Sequence, residues 1–181
     1  MRLWPHKRWK KVALVLCLIF IVMVVLSMYA IVSINKDVVG PIDVMNAGGN
    51  QTALVVYQPG LSSGPKDNAY AFANGLASAG WRVETTTASP EAPSNLSNYS
   101  LLVLVYPIYG GRPGEAEDRY VERLGDLQHI KVVIINVRWA HEIEDYMKQK
   151  VEAQNGTVLK SLLAGATDIR QAGSEIAPFP R

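Results

Sequence analysis

Three short stretches of the 181-residue chain carry residue types suited to holding a ligand. Gln58–Lys66 (QPGLSSGPK) is a Gly/Ser-rich turn that leads into a helical pattern at Asp67. Such a turn at a helix N-terminus offers backbone N–H groups, hydroxyls and the positive end of the helix dipole, which together suit a phosphate. Ser62, Ser63 and Gly64 are the candidates, with Lys66 as a counter-charge. Read more plainly, the same residues only cap a turn. Tyr106–Glu115 (YPIYGGRPGE) is the more specific stretch: Pro107, Gly110 and Gly111 shape a tight turn, and Tyr109 supplies an aromatic face. Val137–His141 (VRWAH) adds the aromatic Trp139 at a strand-to-helix corner, a place where tryptophan also serves as a lid on the core.

Other chemistries find little support. The single cysteine, Cys17, lies in a long apolar run, so the rest of the chain has no disulfide, thiolate nucleophile or iron–sulfur ligand set. His129 and His141 lack metal-type spacing with each other or with an acid pair, and no metal site is expected. No G-x-S-x-G or spaced His/acid constellation points to a hydrolase, and no catalytic residue is assigned. The formal charge is +2, of which residues 1–11 contribute +5, leaving about −3 for the remainder. An acidic remainder without basic clusters argues against nucleic-acid binding.

The elements that must position the three stretches follow from the hydropathy pattern. Thr52–Tyr57, Leu101–Tyr106 and Lys131–Val137 are uniformly apolar, as strands buried on both faces are. Trp81–Thr87 alternates and Thr157–Leu163 is weaker, so both read as edge strands. Helical periodicity falls between them at about Asp67–Ala79, Glu115–Leu127 and Ala140–Gln154. Strand–helix alternation with short links implies a parallel sheet with helices on both faces. With right-handed crossovers, the spatial order 2-1-3-4-5 satisfies all five strands. In that order ligands bind beyond the carboxyl ends of the strands, where the first and third diverge, and all three stretches lie there.

A strand running into Pro107-Ile108-Tyr109-Gly110-Gly111, followed by a Pro-containing helix start, resembles the second flavin loop of the flavodoxin family. The resemblance covers roughly residues 52–163. It implies a three-layer, flavodoxin-like doubly wound parallel α/β sheet with FMN as cofactor. Tyr109 then stands where the family stacks an aromatic on the isoalloxazine ring, Trp139 where a second ring contact is common, and Ser62–Gly64 where the phosphate is held. The chain departs from the pattern in three ways. Its first loop keeps only the hydroxylic character of Ser/Thr-x-Thr-Gly-x-Thr, and the loop after the fourth strand is short. The last amphipathic helix is missing, so one sheet face is expected to be covered by the 164–181 tail (Ile169, Ile176, Phe179) or by a second subunit, making a homo-oligomer.

The N-terminus adds a membrane anchor. Val12–Ile34 holds 23 residues without a charge, enough at about 1.5 Å per residue to cross a hydrocarbon core of about 30 Å. Arg2, Lys7, Arg8, Lys10 and Lys11 precede it, which keeps that side cytoplasmic and sends the C-terminal domain out. The apolar run is longer than a signal peptide's, and Met28-Tyr29-Ala30 is a poor cleavage site. The expected organisation is a cytoplasmic basic tail (1–11), a signal-anchor span (12–34), a tether (35–51), the domain (52–163) and a tail (164–181). Sequons at Asn50, Asn95, Asn98 and Asn155 are consistent with an external, glycosylated domain. Two functions fit: a cell-membrane FMN electron carrier serving a redox partner, or a flavodoxin-fold module that has lost flavin and scaffolds a membrane complex.

Overall fold

A computed structural model of the chain describes residues 6–109, 112–137 and 144–180. It separates into two units, Met1–Ile34 and Asn35–Arg181. The first is helix α1 (His6–Asn35), in which the stretch Trp9–Asn35 is long and apolar enough to cross a membrane and is buried nowhere. Its Ser27 hydroxyl donates to the Met23 carbonyl at 2.8 Å, so the polar side chain is satisfied within the helix.

The second unit is built on one sheet. Its elements are β1 (Asp43–Met45), β2 (Thr52–Tyr57), α2 (Gly64–Ser78), β3 (Arg82–Thr87), β4 (Leu101–Tyr109), β5 (Arg112–Pro113), α3 (Glu115–Leu124), β6 (Lys131–Val137), α4 (Glu144–Ala153), β7 (Thr157–Leu163) and α5 (Ile169–Ser174). The strand order is β1-β3-β2-β4-β6-β7, with β5 paired to β4. The pairs β3–β2, β2–β4, β4–β6 and β6–β7 are parallel, which reproduces the expected 2-1-3-4-5 order.

The period of two along the central strands sorts their side chains into two cores. Val55, Val103, Val133 and Ile135 meet Phe72, Leu76, Ile169 and Ile176 on the α2/α5 face. Leu54, Leu102, Leu104 and Ile134 meet Tyr120, Val121, Met147 and Val151 on the α3/α4 face. Strands packed on both sides have no polar face to spare, hence their continuous apolar sequences.

Three expectations need correction. The segment 35–51 is not a free tether, because β1 within it pairs antiparallel with β3 through Asp43–Thr85, Val44–Glu84 and Met45–Val83. The strand at 82–87 is therefore not the sheet edge over that register. Finally, the last helix is not missing but shortened to the six residues of α5, too few to show a period. Asp168 starts it by accepting the Gln171 N–H at 3.0 Å. Glycines let α5 lie close against α2: a Cβ on Gly75 would stand 2.2 Å from the Arg170 carbonyl oxygen, and one on Gly173 would stand 2.5 Å from that of Phe72. Beyond α5, the Trp81 indole N–H donates to Ile176 O at 2.6 Å, and Phe179 meets the Trp81 ring edge-on at 5.2 Å. Ile169, Ile176 and Phe179 of the tail thus pack on this face of the sheet, as one of the two expected alternatives has it.

Candidate functional site

Connections leave the carboxyl ends of β2, β4 and β6, and the glycines of the first report how closely they meet. A Cβ on Gly60 would lie 2.6 Å from the Tyr109 hydroxyl and 3.4 Å from Pro107 Cγ; one on Gly64 would lie 3.2 Å from Val137 Cγ1. The first loop therefore rests on the ends of β4 and β6 at once. The Leu61 N–H donates to the Tyr109 hydroxyl at 2.8 Å, so the first two predicted stretches are joined directly.

Helix α2 begins at Gly64, three residues earlier than its periodicity indicates, because Pro65 occupies the first turn, where its missing N–H costs nothing. Ser62, Ser63 and Gly64 consequently sit at the helix N-terminus. Both serines are exposed, and Ser63 occupies the N-cap without a side-chain cap hydrogen bond. The Ser62 hydroxyl accepts the Gly64 N–H at 3.4 Å. Lys66 is exposed, with its ammonium 5.7 Å from the centre of the Tyr70 ring. The Asp67 carboxylate in the same first turn complements the helix dipole. Gly110, Gly111 and Trp139 lie outside the described residues.

Sequence reasoning missed the support beneath these loops. Gln58, fully enclosed at the root of the first loop, accepts the backbone N–H of Glu117 through Oε1 at 3.1 Å. Its own N–H donates to Val105 O at 3.0 Å and continues the β2–β4 pairing. Only glycine fits at 114, since a Cβ there would lie 1.8–2.3 Å from the Gln58 amide atoms. Glu117 is itself wholly buried, and neither carboxylate oxygen has a hydrogen-bond partner among the described residues. Burial pushes its pKa well above the usual carboxylate range, which favours the neutral acid. Asn136, next to Tyr106 in the β4–β6 register, is likewise buried with both amide atoms unpartnered among the described residues. The one visible signal was Asn136, a polar break in the run KVVIINV.

On the opposite face, Tyr57 at the end of β2 meets Tyr70 of α2 edge-on at 6.2 Å, and the Tyr70 hydroxyl hydrogen-bonds the Asp43 carboxylate. Burial, and secondarily Asp43, raise the Tyr57 pKa. The site as a whole offers a helix N-terminus with two exposed serines, the Tyr109 side chain fastened to the first loop, and buried polar groups beneath. That composition suits a phosphate joined to a flat aromatic group.

The chain has a flavodoxin-like fold. It superposes on an archaeal flavodoxin with a TM-score of 0.60 at 18% identity, covering 70% of this chain and 96% of that one. Two-electron reduced Megasphaera elsdenii flavodoxin gives 0.58 at 15%, covering 70% and 100%. The flavodiiron core Flv1 of Synechocystis sp. PCC6803 gives 0.57 at 14%, covering 69% of this chain but only 34% of that one, so the chain spans about a third of its length. No protein-family model matches the sequence, and no curated protein matches it either.

Proposed function

We propose that the chain is a membrane-tethered flavodoxin-like protein that binds FMN and acts in electron transfer. It would sit in the cell membrane with the basic N-terminus cytoplasmic and the domain outside. The observation that carries this reading is the meeting of Leu61 and Tyr109, which brings the candidate phosphate turn and the candidate ring-stacking residue into one site at the carboxyl end of the sheet. When bound, the isoalloxazine would supply the redox chemistry. The α2 N-terminus with Ser62 and Ser63 would hold the phosphate, Pro107 and Tyr109 would border the ring, and the closed loops would limit water. Trp139 is proposed as a further ring contact.

The decisive experiment uses the full chain purified in detergent. A yellow protein with absorption bands near ~370 and ~450 nm, as flavin chemistry supplies, supports the reading. A colourless protein that takes up no added FMN overturns it. Ser62→Asp then tests the phosphate turn, because a carboxylate set against the phosphate charge should abolish uptake. Unchanged affinity would remove the turn from the site.

A second reading rests on the same contact. The Tyr109 hydroxyl occupies the space against Gly60, so the two loops already satisfy one another without a ligand. That favours a flavodoxin-fold module which serves as a binding or scaffolding domain of a membrane complex. Failure of FMN uptake, with the fold retained, is its expected signature.

A further inference from the structure

The segment 36–45 that follows α1 leaves four apolar side chains exposed while both of its acids are paired. Sheet edges in water usually present charged side chains outward, lysine above all, and keep apolar ones inside. Here both acids are paired, Asp37 while still exposed and Asp43 half-buried. Asp37 pairs with Arg119 of α3 at 2.7 Å, and Asp43 takes the Tyr70 hydroxyl. The apolar side chains stand out: Val38, Val39, Ile42 and Val44 are 40, 52, 47 and 46% exposed. Lys36 is the segment's one cation and is exposed as well.

Nor is the segment loose. The Gly40 N–H donates to the Thr87 hydroxyl at 2.8 Å and its carbonyl accepts from Thr86 at 3.3 Å, after which β1 pairs with β3. The ridge of four apolar side chains is thus held in place by the domain and is not a flexible linker whose exposure means little.

Sequence distance limits what can cover it. Trp9–Asn35 comprises 27 helical residues, about 40 Å at 1.5 Å each, which exceeds a hydrocarbon core of about 30 Å and reaches the headgroup layer. Val38 and Val39 follow Asn35 by three and four residues, so they cannot lie more than about 14 Å from its end. We infer that the Val38–Val44 ridge docks on the bilayer itself, with its valines and Ile42 in the boundary between headgroups and acyl chains and Lys36 at the headgroup level. This inference rests on α1 crossing a membrane and is independent of whether flavin binds. Gly40 touches β3 at Thr87, its carboxyl end, the same end of the sheet from which the candidate site's loops leave.

The native chain supplies the control for the test, because Cys17 within α1 is its only cysteine. The full chain is placed at one copy per lipid nanodisc and labelled with a small fluorophore at Cys17. In a Cys17→Ser background it is labelled instead at Val39→Cys or Leu159→Cys, the last an exposed residue on the opposite edge strand. Lipids brominated high on the acyl chain serve as the quencher. The expected result is at least twofold quenching at positions 17 and 39 and none at 159. Quenching at 17 without quenching at 39 overturns the docking while leaving the span intact. No quenching at 17 removes the span and the docking with it. If the probe at 39 is shielded from an aqueous quencher only in discs holding two copies, the ridge serves a second copy of the chain and the lipid assignment is wrong.

Discussion

The hydroxyl of Tyr109 accepts the backbone N–H of Leu61 at 2.8 Å, across a gap that only a glycine at position 60 permits. One phenolic oxygen thereby fastens the turn before α2 to the end of β4. Tyr109→Phe keeps the ring and removes the fastening. Because Leu61 is exposed and its freed N–H can turn to water, the loss of stability should be small, about 0.5–1 kcal/mol. If the loops hold FMN, affinity should fall a few-fold in Tyr109→Phe and at least tenfold in Tyr109→Ala, which also loses the stacking face. Equal affinities in the two variants would separate the ring from the ligand.

Gln58 and Gly114 form the second join between these loops. Gly114→Ala would place a methyl group 1.8 Å from Gln58 Nε2, and the enclosed Gln58 side chain has little room to retreat. The Glu117 N–H would lose its acceptor as Gln58 moves. Overpacking of this kind costs about 1–3 kcal/mol, to be read as a lower denaturation midpoint of the full chain in detergent. A variant as stable as the parent would show that Gln58 can be displaced freely.

Glu117 predicts a pH dependence. Its folded-state pKa is raised by burial, so the folded protein holds the proton more tightly than the unfolded chain does. The associated stability is fully present below the ordinary carboxylate pKa of the unfolded chain. It is lost as pH rises through the folded value, since the ion must then form in an apolar surround. Tyr120, one turn along α3, is the titratable neighbour whose charge interaction with Glu117 is resolved, and its own pKa is raised, chiefly by burial. Tyr120 therefore stays neutral across the same range. Glu117→Gln should flatten the profile above the ordinary carboxylate range, where the parent loses this contribution. Parallel thermal-unfolding profiles for the parent and the variant would show that another group sets the slope.

What the sequence revealed and what it hid have physical causes. Leu54, Val103 and Ile134 lie in strands whose burial on both faces leaves an unbroken apolar run, so the central strands and their order were legible. The position of Tyr109 beside the first loop followed from that order. Glu117 was not legible, because it stands among the acids of GEAEDR and only the tertiary packing shows which of them is enclosed. β1 and α5 were hidden by length: three and six residues cannot display a period.

α5 nevertheless closes one core, and its attachment gives the last prediction. Gly75→Ala improves helix propensity, worth about 1 kcal/mol in an isolated helix. The added methyl would meet Arg170 O at 2.2 Å and Ser174 N at 2.8 Å, both of them backbone atoms that no rotamer change can move. α5 must then lift, which strains the bond from the Trp81 indole to Ile176 O and the paired bonds of Gln51 with the Phe179 backbone, at 2.8 and 2.9 Å. Steric loss should exceed the propensity gain, for a net destabilisation of about 1–2 kcal/mol. Limited proteolysis of the full chain in detergent should cut the 164–180 segment faster than in the parent. Should Gly75→Ala instead raise the melting temperature without speeding that cleavage, the close crossing of α2 and α5 would not be what holds the tail on the sheet.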